Sequence, residues 1–212
     1  MLKNSKYILV LLIIVYCKTC YSSSSASYLI SKIAFSNHDF SQVLNEYNNL
    51  KSEKFDEDYL EELIAAVISE KLILAQNISN IILQKDLNNK EAKLFIMANA
   101  FKNSSYEKLN LLRLDDKNNK NDLFEFLFFN GDQLKNNKEI SKAFLEIVKS
   151  SYLNKNSDYL QNYNFLLFYV SLSIMINENN YEAIYIKGQL LQIIENYLFA
   201  ETTYLKIPKK SN

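Results

Sequence analysis

Apolar residues along this chain recur at three- and four-residue spacing in short runs parted by polar breaks, the period of helices that bury one face. From Ser27 to Leu50, Tyr28, Ile30, Ile33 and Ala34 share one such face. Phe40, Val43, Leu44, Tyr47 and Leu50 share a second, and Asn37-His38-Asp39 interrupts between them. The pattern predicts two short helices joined by a tight turn. The same unit recurs from Asp56 to Ser69, with a stripe of Leu60, Leu63, Ile64, Val67 and Ile68, and from Leu72 to Leu83, with Ala75, Ile78, Ile81 and Ile82; Glu70-Lys71 forms the turn. Asn89 is placed to cap a helix over Glu91 to Phe101. Ser104, with Glu107 three positions on, has the pattern of a capping box that opens the next helix, with Tyr106, Leu109 and Leu112 turned inward.

Beyond a solvated connector from Arg113 to Asn121, the phenylalanine-rich stretch Asp122 to Leu134 reads as a buried helix. Glu139 to Leu153 follows, with Ile140, Phe144, Ile147, Val148 and Tyr152 on one face. Tyr159 to Ile176 is the most apolar helix after the N-terminal segment. Its unbroken run from Phe165 to Val170 is too short for a bilayer, and Asn162, Ser171 and Ser173 interrupt the rest, so it is expected as a core helix in mid-array. Tyr181 to Ile194 and Tyr197 to Ile207 complete a last hairpin, stopped by Pro208.

Phe40, Leu72 and Tyr106 each open the second helix of a unit and lie 32 and 34 residues apart. Helix-turn-helix units with a period of about 34 mark tetratricopeptide repeats. In that register Ser31, Val43, Tyr47 and Leu50 occupy the consensus places of the first unit, and Leu63, Ala75, Ser79 and Ile82 those of the second. Met97, Leu109 and Arg113 fall in the third; Gly188, Ala200, Tyr204 and Ile207 fall in the last. With its opening SSASYLISKIAFSNHDFSQVL and its ending NNYEAIYIKGQLLQIIENYLFAETTYLKIPKKS, the chain resembles exported tetratricopeptide-repeat proteins of alphaproteobacteria. The resemblance implies an all-α, right-handed α-solenoid over residues 27–208, with 209–212 as a tail. Such relatives run on through further repeats. The chain is therefore expected either to be the N-terminal part of a longer array or to use the last helix, through Leu198, Tyr204, Leu205 and Ile207, to self-associate or dock a partner.

Composition sharpens this picture. Two glycines and one proline leave little material for β-hairpins or phosphate loops, and 48% apolar residues suffice for a continuous core. Lys+Arg and Asp+Glu balance at 24 each, so no general field attracts nucleic acid. At the N-terminus, Lys3 and Lys6 precede an apolar run from Tyr7 to Tyr16, the form of a secretory signal, and residues 1–26 read as signal and tether of an exported protein. Two main processing routes stay open: cleavage near Ser24-Ser25-Ala26, or lipidation at Cys17, which follows Ile14-Val15-Tyr16. An uncleaved signal anchor is a third. Membrane association is expected only through this segment. Cys17 and Cys20 spell C-x-x-C against the apolar run, without the strand-then-helix context of a redox motif.

No catalytic constellation emerges. His38, the one histidine, sits in an interhelix turn with no companion ligand. Asp56, Glu57, Asp58, Glu61 and Glu62 lie on the first turns of a helix, where the dipole favours them. No phosphate-loop, dinucleotide or nucleophile-elbow motif occurs, so neither enzyme activity nor a cofactor or metal is expected. A solenoid offers a groove instead, lined by its first helices. Tyr28, Lys32 and Phe35 of the first unit, Leu94 and Phe101 of the third, and Tyr185 and Gln189 of the last are its candidate lining; each equally suits packing between repeats. Lys32 is the lone basic candidate in the first two units, so no carboxylate clamp is assigned. The expected function is a protein-interaction scaffold at the cell envelope, holding a peptide or partner helix. The alternatives are a lipoprotein subunit of an outer-membrane assembly machine and, with no residue support, an accessory domain of an envelope enzyme.

Overall fold

The computed structural model describes residues 25–50, 55–104, 136–153 and 163–208, with side chains as far as Lys149 in the third of these stretches. Every regular element among them is helical: α1 (25–36), α2 (Phe40–Leu50), α3 (Asp56–Ile68), α4 (Leu72–Lys85), α5 (Lys90–Lys102), α6 (Asn137–Leu153), α7 (Tyr163–Ile176), α8 (Tyr181–Ile193) and α9 (Tyr197–Tyr204). Ser25 and Ala26, read from the sequence as the end of a tether, belong to α1. The signal segment with Cys17, the helix expected after Ser104, the Arg113 connector, the phenylalanine-rich stretch and the tail lie outside the described residues.

The hairpin turns share one construction. His38, Glu70, Ser104 and Glu195 all take the left-handed conformation, with φ between 54° and 61°. At the α1–α2 turn His38 N–H donates to Phe35 O at 3.2 Å and Asp39 N–H donates to Ala34 O at 2.8 Å. Glu70 and Lys71 repeat this pair on Val67 and Ala66, and Glu195 and Asn196 repeat it on Gln192 and Leu191. These paired bonds satisfy the last carbonyls of each first helix and reverse the chain within three residues. At Ser104 the first of the two bonds is present, to Phe101 O at 3.1 Å. Asn89 and Asn180 cap α5 and α8 by accepting from Ala92 N–H at 3.0 Å and Ala183 N–H at 3.2 Å.

The spacing between first and second helix is equally regular inside the hairpins. A Cβ on Gly188 of α8 would lie 2.3 Å from the Tyr204 ring of α9, so the small residue makes room for the phenol sixteen positions on. In the first hairpin Ser31 and Tyr47 hold the same two positions and both are fully buried. In the second, Leu63 and Ser79 hold them with the large and small partners exchanged, again both fully buried. Exchanging bulk across a contact conserves volume, the change that close-packed interiors tolerate best.

The middle of the molecule is α7. It has no polar face: Leu166, Leu167, Phe168, Tyr169, Val170, Leu172, Met175 and Ile176 point in all directions and are all buried. Such a helix needs cover on every side. It packs against α6 and α8, its neighbours in sequence, and against α3 and α5 from the N-terminal half. Against α6 it comes close through Ser141 and Ser173, whose hydroxyls each donate to the other's backbone carbonyl at 2.8 and 2.7 Å. No helix among the described residues is long and apolar enough to cross a membrane.

This arrangement brings the last hairpin against the turns of the first two. Asn164 of α7 donates from Nδ2 to Phe35 O at 3.1 Å, which orients its amide so that Oδ1 accepts from His38 Nδ1 at 2.6 Å. Asn196 reaches His38 O at 3.5 Å, and Lys187 of α8 reaches Ile68 O at 3.0 Å.

Candidate functional site

The seven residues expected to line a first-helix groove do not assemble into one surface. Leu94 and Phe101 are 0% exposed. They lie in α5, which is sandwiched between α4 and α7, so they belong to the core rather than to a groove. Tyr28 and Phe35 are half-buried against the core. Lys32 is consumed by an ion-pair cluster: its Nζ lies 2.8 Å from Asp58 Oδ1 and 2.9 Å from Glu61 Oε1. Burial lowers the Lys32 pKa, and the two carboxylates outweigh it, so the ammonium titrates above its ordinary value. The buried Asp58 also accepts from Phe55 N–H at 2.7 Å at the start of α3, and the Tyr47 hydroxyl donates to Glu61 Oε2 at 2.5 Å. Burial, then Glu61, push the Tyr47 pKa far above the usual phenol range. Tyr185 and Gln189 are exposed, with Gln189 Nε2 donating to Tyr185 Oη at 3.3 Å.

The open concavity lies instead at the turns and second helices. One cavity of about 820 Å³ has the turns of the first, second and last hairpins around it: Asn37, His38 and Asp39; Ser69 and Lys71; Ile194, Glu195 and Asn196. The first residues of α9, Tyr197 and Leu198, form a side of it. A second cavity of about 820 Å³ runs between α2, through Ser41, Leu44, Asn45 and Asn48, and α4, through Ile73 and Asn77. The two share Ser41, Ser69 and Lys71 and so form one continuous trough. None of the seven predicted groove residues lines it.

The trough offers recognition chemistry rather than bond-making chemistry. Asn45, Asn48 and Asn77 each present a donor and an acceptor, the pair a peptide backbone needs. Ile73, Leu198 and Tyr197 stand 82%, 77% and 63% exposed as apolar anchors. The His38 ring is engaged by Asn164. Among the described residues no group of His, Cys, Asp and Glu could hold a metal ion.

A third cavity, of about 460 Å³, lies where α3, α7 and α8 meet, and its polar residues escaped the sequence reading. Lys187 is 1% exposed, donates to Ile68 O and shares the Glu70 carboxylate with Lys206. Burial pulls the Lys187 pKa down to about 8, Glu70 opposing and Lys206 assisting. Burial alone would raise Glu70, but the two lysines hold it below the usual carboxylate range. The available signal was a lysine at the end of the apolar run Ala183 to Ile186 of α8, just before Gly188.

No family model, curated protein or solved structure matches the chain.

Proposed function

We propose that the protein is a non-catalytic interaction scaffold, a tetratricopeptide-like α-solenoid exported to the cell envelope, and that the trough over the turns and between α2 and α4 holds an extended peptide or a partner helix. The observation that carries this reading is the continuity of the trough. Three turns of identical construction, two second helices and a set of Asn side chains border one open channel whose accessible apolar residues, Ile73 and Leu198, are spaced along it. An extended peptide has free backbone groups for such Asn side chains to pair with, and a partner helix would lay apolar positions against Ile73 and Leu198.

A photo-crosslinking amino acid placed in living cells at Ile73, Asn45 or Leu198 tests it. One discrete adduct from the trough positions, absent when the same probe replaces exposed Tyr185, is the expected result. Equal labelling at Tyr185, or none anywhere, overturns it. Self-association is a second reading, favoured by Leu198 and Leu205 at 77% and 71% exposed on and beside α9. In that case the adduct has twice the chain's mass and Leu205→Glu removes it. Export and anchoring rest on the N-terminal lysines, apolar run and Cys17. A precursor accumulating under a lipoprotein signal-peptidase inhibitor, and lost with Cys17→Ser, marks the lipidated form.

A further inference from the structure

We propose that the cavity between α3, α7 and α8 binds a small organic monoanion, one carboxylate carried on an apolar body. The inference is independent of the trough and rests on three features of this cavity. The first is its charge. Among the described residues that line it, Lys102, Lys187 and Lys206 face two carboxylates, Glu70 and Glu178. Lys102 is paired with Glu178 at 3.1 Å at the rim, so Lys187 and Lys206 divide Glu70 between them, and one positive charge stays uncompensated. A single carboxylate completes the balance; a dianion overshoots it.

The second feature is unused hydrogen-bonding capacity. The Ser171 hydroxyl is buried without a hydrogen-bond partner among the described residues, although a partner is the rule for such groups. Ser171 lines the same cavity as Lys187. Of the three ammonium protons on Lys187, Ile68 O takes one at 3.0 Å and Glu70 takes another at a long 3.5 Å. A carboxylate beside Lys187 meets a donor already stripped of water, and charge-assisted bonds of that kind are the strong ones.

The third is shape. The remaining walls, Val67, Leu72, Ile174, Met175 and Ile184, are apolar, and about 460 Å³ falls within the roughly 300–1,000 Å³ range of small-molecule sites. A buried lysine whose pKa has fallen to about 8 is held at a cost to the fold, and perturbed groups in clefts concentrate at functional sites. Binding an anion restores the missing counter-charge, so it returns Lys187 toward the ammonium form and takes up a proton. The groups that face Lys187 and shape this response are Glu70 from the α3–α4 turn and Lys206 beyond α9, with the Phe199 ring 5.3 Å from the ammonium.

Isothermal titration of the purified protein with 4-methylpentanoate, and with uncharged 4-methylpentanamide, decides the matter. The acid is expected to bind at one site and the amide not to bind. Above pH 8 the acid's apparent enthalpy should vary with the ionisation enthalpy of the buffer, which reports proton uptake. Lys206→Gln, at a half-exposed position that leaves the fold intact, should weaken the acid about tenfold, and Lys187→Met should abolish binding. A tripeptide ending in leucine with a free carboxylate distinguishes sources: tighter binding of the peptide assigns the site to a chain terminus, tighter binding of the free acid to a metabolite. Acid and amide binding alike, no binding by either the acid or the tripeptide, or unchanged affinity in Lys206→Gln overturns the proposal.

Discussion

The first and last hairpins use the same register to opposite electrostatic ends. Each sets a lysine next to its small residue, Lys32 beside Ser31 and Lys187 beside Gly188, and each packs a tyrosine sixteen positions further on. Around Lys32 the carboxylates are in excess: Asp58 and Glu61 flank one ammonium, and Tyr47 spends its proton on Glu61. Around Lys187 the amines are in excess, since Lys206 competes for Glu70. Lys32, only partly buried, is held charged by its two carboxylates, and Lys187 is pushed towards neutrality by complete burial, with Lys206 adding to the push. The difference teaches that burial pushes a lysine towards neutrality and that the carboxylates beside it decide whether the push prevails. At Lys32 two carboxylates outweigh a partial burial, whereas at Lys187 one shared carboxylate does not outweigh a complete one.

The strongest way to break the comparison is Asp58→Ala. Removing a fully buried carboxylate that serves Lys32 and the Phe55 N–H should cost about 3–5 kcal/mol in urea unfolding, the range for breaking a buried pair. A loss below about 1 kcal/mol would show that Glu61 alone holds the cluster.

Lys187→Met should act in the opposite direction. A shift from 10.5 to about 8 makes the buried ammonium unfavourable by about 3 kcal/mol, and losing the bond to Ile68 O returns about 1, so the variant should be about 2 kcal/mol more stable at pH 7. The pH dependence follows from the lowered pKa. Between about 8 and 10.5 the unfolded chain binds the proton that the folded chain has released, so wild-type stability rises relative to the variant across that window, and the full penalty is present below it. An advantage of Lys187→Met that is flat from pH 7 to 10.5 would place the cost in packing rather than in charge.

Gly188→Ala should destabilise by about 1–3 kcal/mol through the clash with the Tyr204 ring. Tyr204→Leu in the same chain should recover most of the loss, because the two changes share one contact. Ser31→Ala, at the matching place in the first hairpin, should be milder, since Tyr47 already accommodates a side chain there.

The smallest effect separates the two turns. Glu195 is exposed at φ 61°, so Glu195→Gly should raise stability by about 1 kcal/mol by relieving the left-handed strain. His38 has φ 60° as well, but its ring is bonded to Asn164, so His38→Gly should give up that gain or lose more. Equal responses in thermal melts would mean that the Asn164 bond contributes nothing.

The local features were legible in the residues. The spacing of Phe40 and Leu72, the breaks at Asn37-His38-Asp39 and Glu70-Lys71, the cap at Asn89 and the small position at Gly188 each express a short-range rule, and the helices begin and end close to where those rules put them. The all-α class follows from the same periodicity and from the scarcity of glycine and proline. Which surfaces stay open did not follow. An apolar stripe says that a helix face is covered, without saying by what; Leu94 and Phe101 show a groove-compatible pattern but lie between α4 and α7. Nor does any local rule place Lys187 against a carbonyl 119 residues earlier, or gather three hairpin turns around one trough. Those placements were decided by α7, a helix apolar on all sides that has to draw cover from both halves of the chain. Helix formation is short-range and written in neighbouring residues, whereas the choice of neighbours belongs to the packing of the whole chain.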